Sequence, residues 1–306
     1  MHPDFFKISF EVQTALDDEM PVVALESTVI THGLPWPQNV ETAAEMEAAV
    51  RKGGAIPATI ALINGEVRIG LSQDELTFLA QQPAGSVLKC SRRDLPTVIM
   101  HRGHGSTTVA ATMILAQLAG IQFFATGGIG GVHRGQQFDV SADLYELGKT
   151  PVTVICSGAK AILDIPNTLE VLETQGVAVV GFGCDKLPLF YSRESVYDVN
   201  VRLDSPDDVA QLVLARNALG LETGTLVTVP VPAADEVPSK EIQETIETAL
   251  FEADEAGIKG AETTPWLLSR IATLSGNRSM SANIALLINN GFVAGQIALA
   301  HKKMVN

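Results

Sequence analysis

A lysine closes the apolar run Val152-Thr-Val-Ile-Cys156-Ser-Gly-Ala-Lys160. An amine placed there is either tolerated, by extending its ammonium to water along its alkyl stem, or used. Desolvation disfavours the charged form, and a neutral amine attacks an aldehyde carbon to form a Schiff base. Glu26 is placed similarly, after Pro21-Val-Val-Ala-Leu25 and before Ser27-Thr28 and Val29-Ile30. A carboxyl low in a cleft has its pKa raised and can donate a proton; the competing reading is a strand-end glutamate paired with an arginine.

Three further segments could hold a ligand. His101-Arg-Gly-His-Gly-Ser-Thr-Thr108-Val109 is a glycine-rich turn opening a helix, where free amides and the positive dipole end suit a phosphate or serve only as a cap. It has neither the spacing of a Walker loop nor a dinucleotide-binding GxGxxG. Lys89, Arg92 and Arg93 stand just before it, as phosphate partners or as solvated surface charge. Thr126-Gly-Gly-Ile-Gly-Gly-Val-His133-Arg-Gly135 follows an apolar strand, and its glycines let a ligand approach the backbone where open α/β sheets bind. Asp139-Val-Ser-Ala-Asp143 sets two carboxylates one helical turn apart around Ser141. Such oxygen donors suit a hard ion such as magnesium or manganese, although N-capping is the commoner use of such aspartates.

The elements that must position these groups alternate along the chain. Residues 22–25, 56–63, 67–69, 121–125, 152–156, 177–182 and 226–229 are predicted strands. Helices are predicted over 39–52, 74–80, 107–119, 141–148, 168–175 and 206–219, and the chain is helical in pattern from Pro238 onward. Ser72 with Glu75 makes a capping box, and Gly120 and Gly176 stop helices before the next strand. This alternation predicts a central mixed sheet layered by helices on both faces, an α/β fold of three layers, α/β/α. With no linker longer than a turn, residues 1–306 read as one domain led in by a helix over 1–20.

At 306 residues and 46% hydrophobic content, the chain can bury a sizeable core. A net charge of −14 argues against a nucleic-acid polymer or an anionic membrane as partner, while leaving room for a local basic pocket. Cys90, Cys156 and Cys184 are far apart and follow no metal-binding spacing, which reads as a reduced, cytoplasmic and zinc-free setting. No apolar run approaches the roughly 20 residues that span a bilayer, and the start lacks the basic-then-apolar order of a signal peptide.

Taken together, Ala24-Leu-Glu26-Ser-Thr with His32-Gly33, Ser91-Arg-Arg-Asp-Leu-Pro96, the Thr126–Gly135 loop, Asp139–Asp143 and Ser157-Gly-Ala-Lys160 resemble the pseudouridine-5′-phosphate glycosidase family. Glu262-Thr-Thr-Pro265 and Ser281-Ala-Asn283 extend the likeness to near the C-terminus. The resemblance implies a manganese-dependent homotrimer that interconverts pseudouridine 5′-phosphate plus water with uracil and ribose 5-phosphate. It implies Lys160 as Schiff-base nucleophile, Glu26 as proton donor, Asp139 as ligand of one Mn2+ per subunit, and Lys89, Val109, Ser141 and Asp143 as substrate-binding groups. Thr108 is the phosphate-turn residue, and Thr126, His133 and Asn283 fall in matching pocket motifs. One departure is Val229-Pro-Val-Pro232, where the family tends to have asparagine first.

A carbon–carbon glycosidic bond needs more than the carboxylate pair of ordinary glycosidases. Uracil must gain a proton at carbon 5 as it leaves, and the sugar needs an electron sink at carbon 1′. A neutral Lys160 and a protonated Glu26 are therefore required together, with burial pushing their pKa values toward each other. The alternatives are another lysine-dependent lyase or aldolase acting on a sugar phosphate, which would ignore the base, and a non-catalytic nucleotide-binding protein, which would need no reactive amine.

Overall fold

The computed structural model describes residues 3–305 except 84, 136–138 and 259–262, so Glu262 of the Glu262–Pro265 motif lies outside the described residues. Thirteen strands are present among the described residues: β1 (Phe6–Ile8), β2 (Val22–Leu25), β3 (Ile56–Ile63), β4 (Glu66–Ile69), β5 (Leu88–Cys90), β6 (Gly105–Thr107), β7 (Phe123–Ala125), β8 (Val132–His133), β9 (Thr153–Cys156), β10 (Leu163–Asp164), β11 (Ala178–Phe182), β12 (Val201–Leu203) and β13 (Thr225–Thr228). The main sheet runs β1-β4-β3-β2-β7-β9-β13-β11-β12. Pairing is parallel from β3 through β12 and antiparallel between β3 and β4 and between β3 and β6. This is the mixed, helix-flanked sheet that the alternation predicts.

The central strands are apolar without alternation because both of their faces are covered. Every residue of β2, β7, β9 and β13 is buried. On one face the helix Arg278–Val305 lies across β2, β7 and β9, between the helices Gln38–Lys52 and Pro206–Ala218. On the other, Val109–Leu118 covers β2, β3 and β7 and packs on Ala142–Leu147. Small residues let the first pair of helices touch: a Cβ added at Gly295 would stand 2.5 Å from the Val50 carbonyl and 2.9 Å from Gly53 Cα. By length and composition the helix Arg278–Val305 could cross a membrane, but 61% of its most apolar window is buried inside the fold. Its apolarity is that of a core helix.

Three expectations need correction. The lead-in is not one helix over 1–20, because β1 adds in parallel to β4 before Ser9 caps a short helix, Phe10–Asp17. Thr107 belongs to a strand: β6 pairs with β3 and β5, and the following helix starts at Val109 after its N-cap Thr108. The helix predicted at 168–175 begins at Ile165, since Asp164 caps it and Pro166 is accommodated in its first turn. The strands missed in the sequence, β1, β5, β6, β8, β10 and β12, are two or three residues long. Their pairing partners, not their own pattern, make them strands.

Candidate active site

Glu26, Thr126 and Lys160 come from three neighbouring strands. β2, β7 and β9 run parallel side by side, so the residues after their carboxyl ends converge on one crevice, where open α/β sheets bind ligands. Thr126, fully buried just after β7, donates its hydroxyl to Glu26 Oε1. Asn290, buried on the core helix, donates to the Thr126 carbonyl at 2.9 Å and to Ser157 Oγ at 3.2 Å. One amide thus ties the turn after β7 to the turn after β9.

Lys160 is four residues beyond the end of β9 rather than on the strand itself. Gly158 turns the chain with φ 86°, a conformation that a Cβ would strain. Ile129 N–H then donates to the Gly158 carbonyl and Lys160 N–H to the Ile129 carbonyl, each at 3.1 Å, so the two loops extend the β7–β9 pairing beyond the sheet. This holds Lys160 half-buried at the crevice. Opposite, Phe190 adopts φ 62°, which is strained for a bulky residue, and its ring lies so close to Gly128 that a Cβ there would be 2.7 Å from it.

The crevice has two lobes that share Glu26, Thr28, Lys89, Lys160 and Thr264. The inner lobe, about 490 Å³ including its open mouth, is walled by Phe190, Pro265, Leu268 and Leu287 and carries the polar side chains of His32 and Asn283. The outer lobe, about 1380 Å³ including its open mouth, brings together Thr108, Val109, His133, Asp139, Ser141 and Asp143. Every site residue named from the sequence except Thr126 and Asn283 therefore lines the outer lobe or the waist. Val229 is buried, donates its N–H to the Cys156 carbonyl at 2.7 Å and lines neither lobe.

The helix start in the outer lobe is already partly occupied. Asp143 Oδ1 accepts Ala110 N–H at 2.9 Å, and Thr108 Oγ1 accepts Ala111 N–H at 3.4 Å. Among the described residues Val109 N–H has no partner, which leaves it for a ligand at the positive end of the helix. Asp143 Oδ2 accepts Gly130 N–H at 2.8 Å, and a Cβ at Gly130 would collide with this carboxylate and with Ser141 Oγ. All three cations of the cluster border the outer lobe, but they stand differently. Arg92 forms a two-pronged pair at 2.6 and 2.9 Å with the fully buried Glu146, and Arg93 is 91% exposed, so Lys89 alone of the three stands at the waist.

Burial pushes the Glu26 carboxyl above the usual carboxylate range; the Lys160 charge, the Thr126 hydroxyl and Lys89 pull it back without overcoming the desolvation. Burial, and then the charge of Lys160, holds the Lys89 amine below the usual lysine range, against the pull of Asp143 and Glu26. His32 is likewise lowered, by burial first and by Lys89 second. A buried acid and a desolvated amine thus stand at the waist, with an imidazole of lowered pKa beside them in the inner lobe.

The paired carboxylates expected at Asp139 and Asp143 do not share a helix face. The helix is Ala142–Leu147, Ser141 caps it, and Asp139 precedes it with its carbonyl accepting His133 N–H at 2.9 Å. Among the described residues no group of three His, Cys, Asp or Glu side chains converges as a metal cage. With both oxygens of Asp143 accepting amides, Glu26 held by Thr126 and Asp94 engaged by Ser91 N–H and Arg93, the carboxylate left to an ion in the outer lobe is that of Asp139. That fits a hydrated hard ion completed by water and ligand oxygens, and not a closed protein site.

Asn290, Phe190 and His32 are the site residues without an assigned role in the sequence. Asn290 had a readable signal, an amide inside an otherwise apolar helix; the left-handed Phe190 had none. The chain is similar to curated bacterial proteins named pseudouridine-5′-phosphate glycosidase. One from Methylobacterium nodulans is 56% identical over 292 residues, covering 95% of this chain and 86% of the relative. One from Escherichia coli is 49% identical over 304 residues, covering 99% and 97%. Among solved structures, prealnumycin C-glycosynthase AlnA in complex with ribulose 5-phosphate superposes with a TM-score of 0.91 at 37% identity, covering 99% of both chains. An indigoidine synthase A-like protein from Thermotoga maritima superposes at 0.89 and 34%, again over 99% of both. Residues 11–300 match the profile of the indigoidine synthase A-like proteins, and on these likenesses the chain belongs to that family, beside the pseudouridine-5′-phosphate glycosidases.

Proposed function

We propose that the chain cleaves the carbon–carbon glycosidic bond of pseudouridine 5′-phosphate, reversibly, to uracil and ribose 5-phosphate through a Schiff base on Lys160. The observation that carries this reading is the waist: an acid with a raised pKa beyond β2 and a half-buried lysine beyond β9, on either side of β7, between an inner apolar lobe and an outer polar one. The resemblance of the whole chain to named glycosidases supports the substrate.

Glu26 protonates the ring oxygen as the Lys160 amine attacks carbon 1′, so the nitrogen–carbon bond forms while the carbon–oxygen bond breaks. The nitrogen lone pair then drives cleavage of the carbon–carbon bond. Carbon 5 of uracil takes the proton that the attached amine gave up to the Glu26 carboxylate, and carbon 1′ becomes an iminium. Water adds to the iminium, the carbon–nitrogen bond breaks, and ribose 5-phosphate leaves with the lysine restored. Thr126 holds the Glu26 carboxyl in place throughout. Val109 N–H and Lys89 take the phosphate end.

Asp139 is the residue that would hold a divalent ion such as manganese. It lines the outer lobe and not the inner one, which favours the sugar-phosphate end over the base. Bound there, the ion would supply positive charge and oriented water to ligand oxygens.

Borohydride added with ribose 5-phosphate should leave a reduced sugar adduct on Lys160, detected by peptide mass spectrometry. Uracil release from pseudouridine 5′-phosphate should disappear in Lys160→Gln. An unmodified Lys160, or uracil release by the variant, overturns the scheme. Sugar-phosphate cleavage with no dependence on the base would instead favour a lyase of another kind.

A further inference from the structure

His32 belongs to no step of the scheme above, yet it sits in the inner lobe beside Glu26, Lys89, Lys160 and Asn283. The chain does not continue as an ordinary helix after Ser27; Val29–Gly33 winds a single π-helical turn, a form concentrated at functional sites. That turn carries the imidazole over the lobe. Its Nδ1 is fixed from behind, 2.6 Å from Thr31 Oγ1 and 3.2 Å from Ser106 Oγ on β6. With Nδ1 so engaged, Nε2 is the free nitrogen, and it has no partner among the described residues.

The two lobes suit different ends of the substrate. An anionic phosphate finds its free amide at Val109 in the outer lobe. The inner lobe offers Phe190, Pro265, Leu268 and Leu287 for the faces of a flat ring, with only two polar side chains of its own. Apolar walls with a few placed polar groups are what orient a small heterocycle. We infer that His32 is a base-binding residue of the inner lobe, its Nε2 hydrogen-bonding the polar edge of the departing pyrimidine. Asn283 faces the same lobe and shares that edge. Burial and then the neighbouring Lys89 lower the imidazole pKa and so favour the neutral ring, which can bind an uncharged base without adding a cation beside Lys89 and Lys160.

This assignment rests on the glycosidase reading, and the test separates the two. In the synthetic direction, with ribose 5-phosphate and uracil varied independently, His32→Phe should raise the KM for uracil about tenfold, as loss of one neutral hydrogen bond implies. The KM for ribose 5-phosphate and the yield of the borohydride adduct on Lys160 should stay within twofold of wild type. His32→Gln, which returns a polar group near Nε2, should recover part of the uracil KM. An active wild type whose uracil KM is unchanged in His32→Phe, or changed no more than that for ribose 5-phosphate, overturns the assignment alone. A wild type that uses no uracil overturns the glycosidase reading and this assignment with it.

Discussion

Replacing Glu26 by Gln separates what the carboxyl does for catalysis from what it costs the fold. Glu26 is only 8% exposed, and desolvation outweighs the Lys160, Thr126 and Lys89 interactions that favour its ionised form. A carboxyl whose folded pKa lies above its unfolded one contributes stability that is fully present below the unfolded value. That contribution is lost as pH rises through the folded value, and each unit of upward shift is worth about 1.4 kcal/mol. Glutamine has the same shape, can accept from Thr126 and does not titrate. Glu26→Gln should therefore match or trail the wild type near pH 4 and exceed it at pH 8, with a gain of roughly 2 °C in Tm per kcal/mol for a chain of this size. The same variant should lose at least about 100-fold in kcat as a missing general acid. Thermal melts across pH 4–8, with uracil release measured in parallel, read both effects. A stability difference that does not change with pH, or that favours the wild type at pH 8, refutes the claim that desolvation dominates at this carboxyl.

Two further outcomes follow from the outer lobe. Pseudouridine without its phosphate should lose at least about 100-fold in kcat/KM, because Val109 N–H and Lys89 then have no anion to bind; comparable values for the two substrates refute the phosphate site. Asp139→Asn should weaken manganese binding at least about tenfold by equilibrium dialysis with no loss of Tm in the metal-free chain, since both oxygens of Asp143 accept backbone amides and Glu26 is held by Thr126; unchanged binding removes Asp139 as the ligand.

The strands that form the centre of the sheet were legible because they are apolar on both faces, and a strand buried on both sides shows that locally. Helix starts were legible where a cap was read in the sequence, as Ser72 with Glu75 shows. The candidate chemistry was legible too, since Glu26, Lys160 and the glycine loops each break an apolar run in a way that a core alone would not require. By itself the sequence determined the layered α/β fold and the residues able to react. Tertiary structure decided which of them meet. How Arg92 stands in the outer lobe depended on Glu146, 54 residues away, which pairs with it. Whether Asp143 pairs with Asp139 depended on two distant amides that claim its oxygens. The division of the crevice into two lobes, with His32 and Phe190 in one of them, exists only once β2, β7 and β9 lie side by side. Local pattern records burial and turns, whereas hydrogen-bond partners far apart in sequence are fixed by packing, which no short window of residues contains.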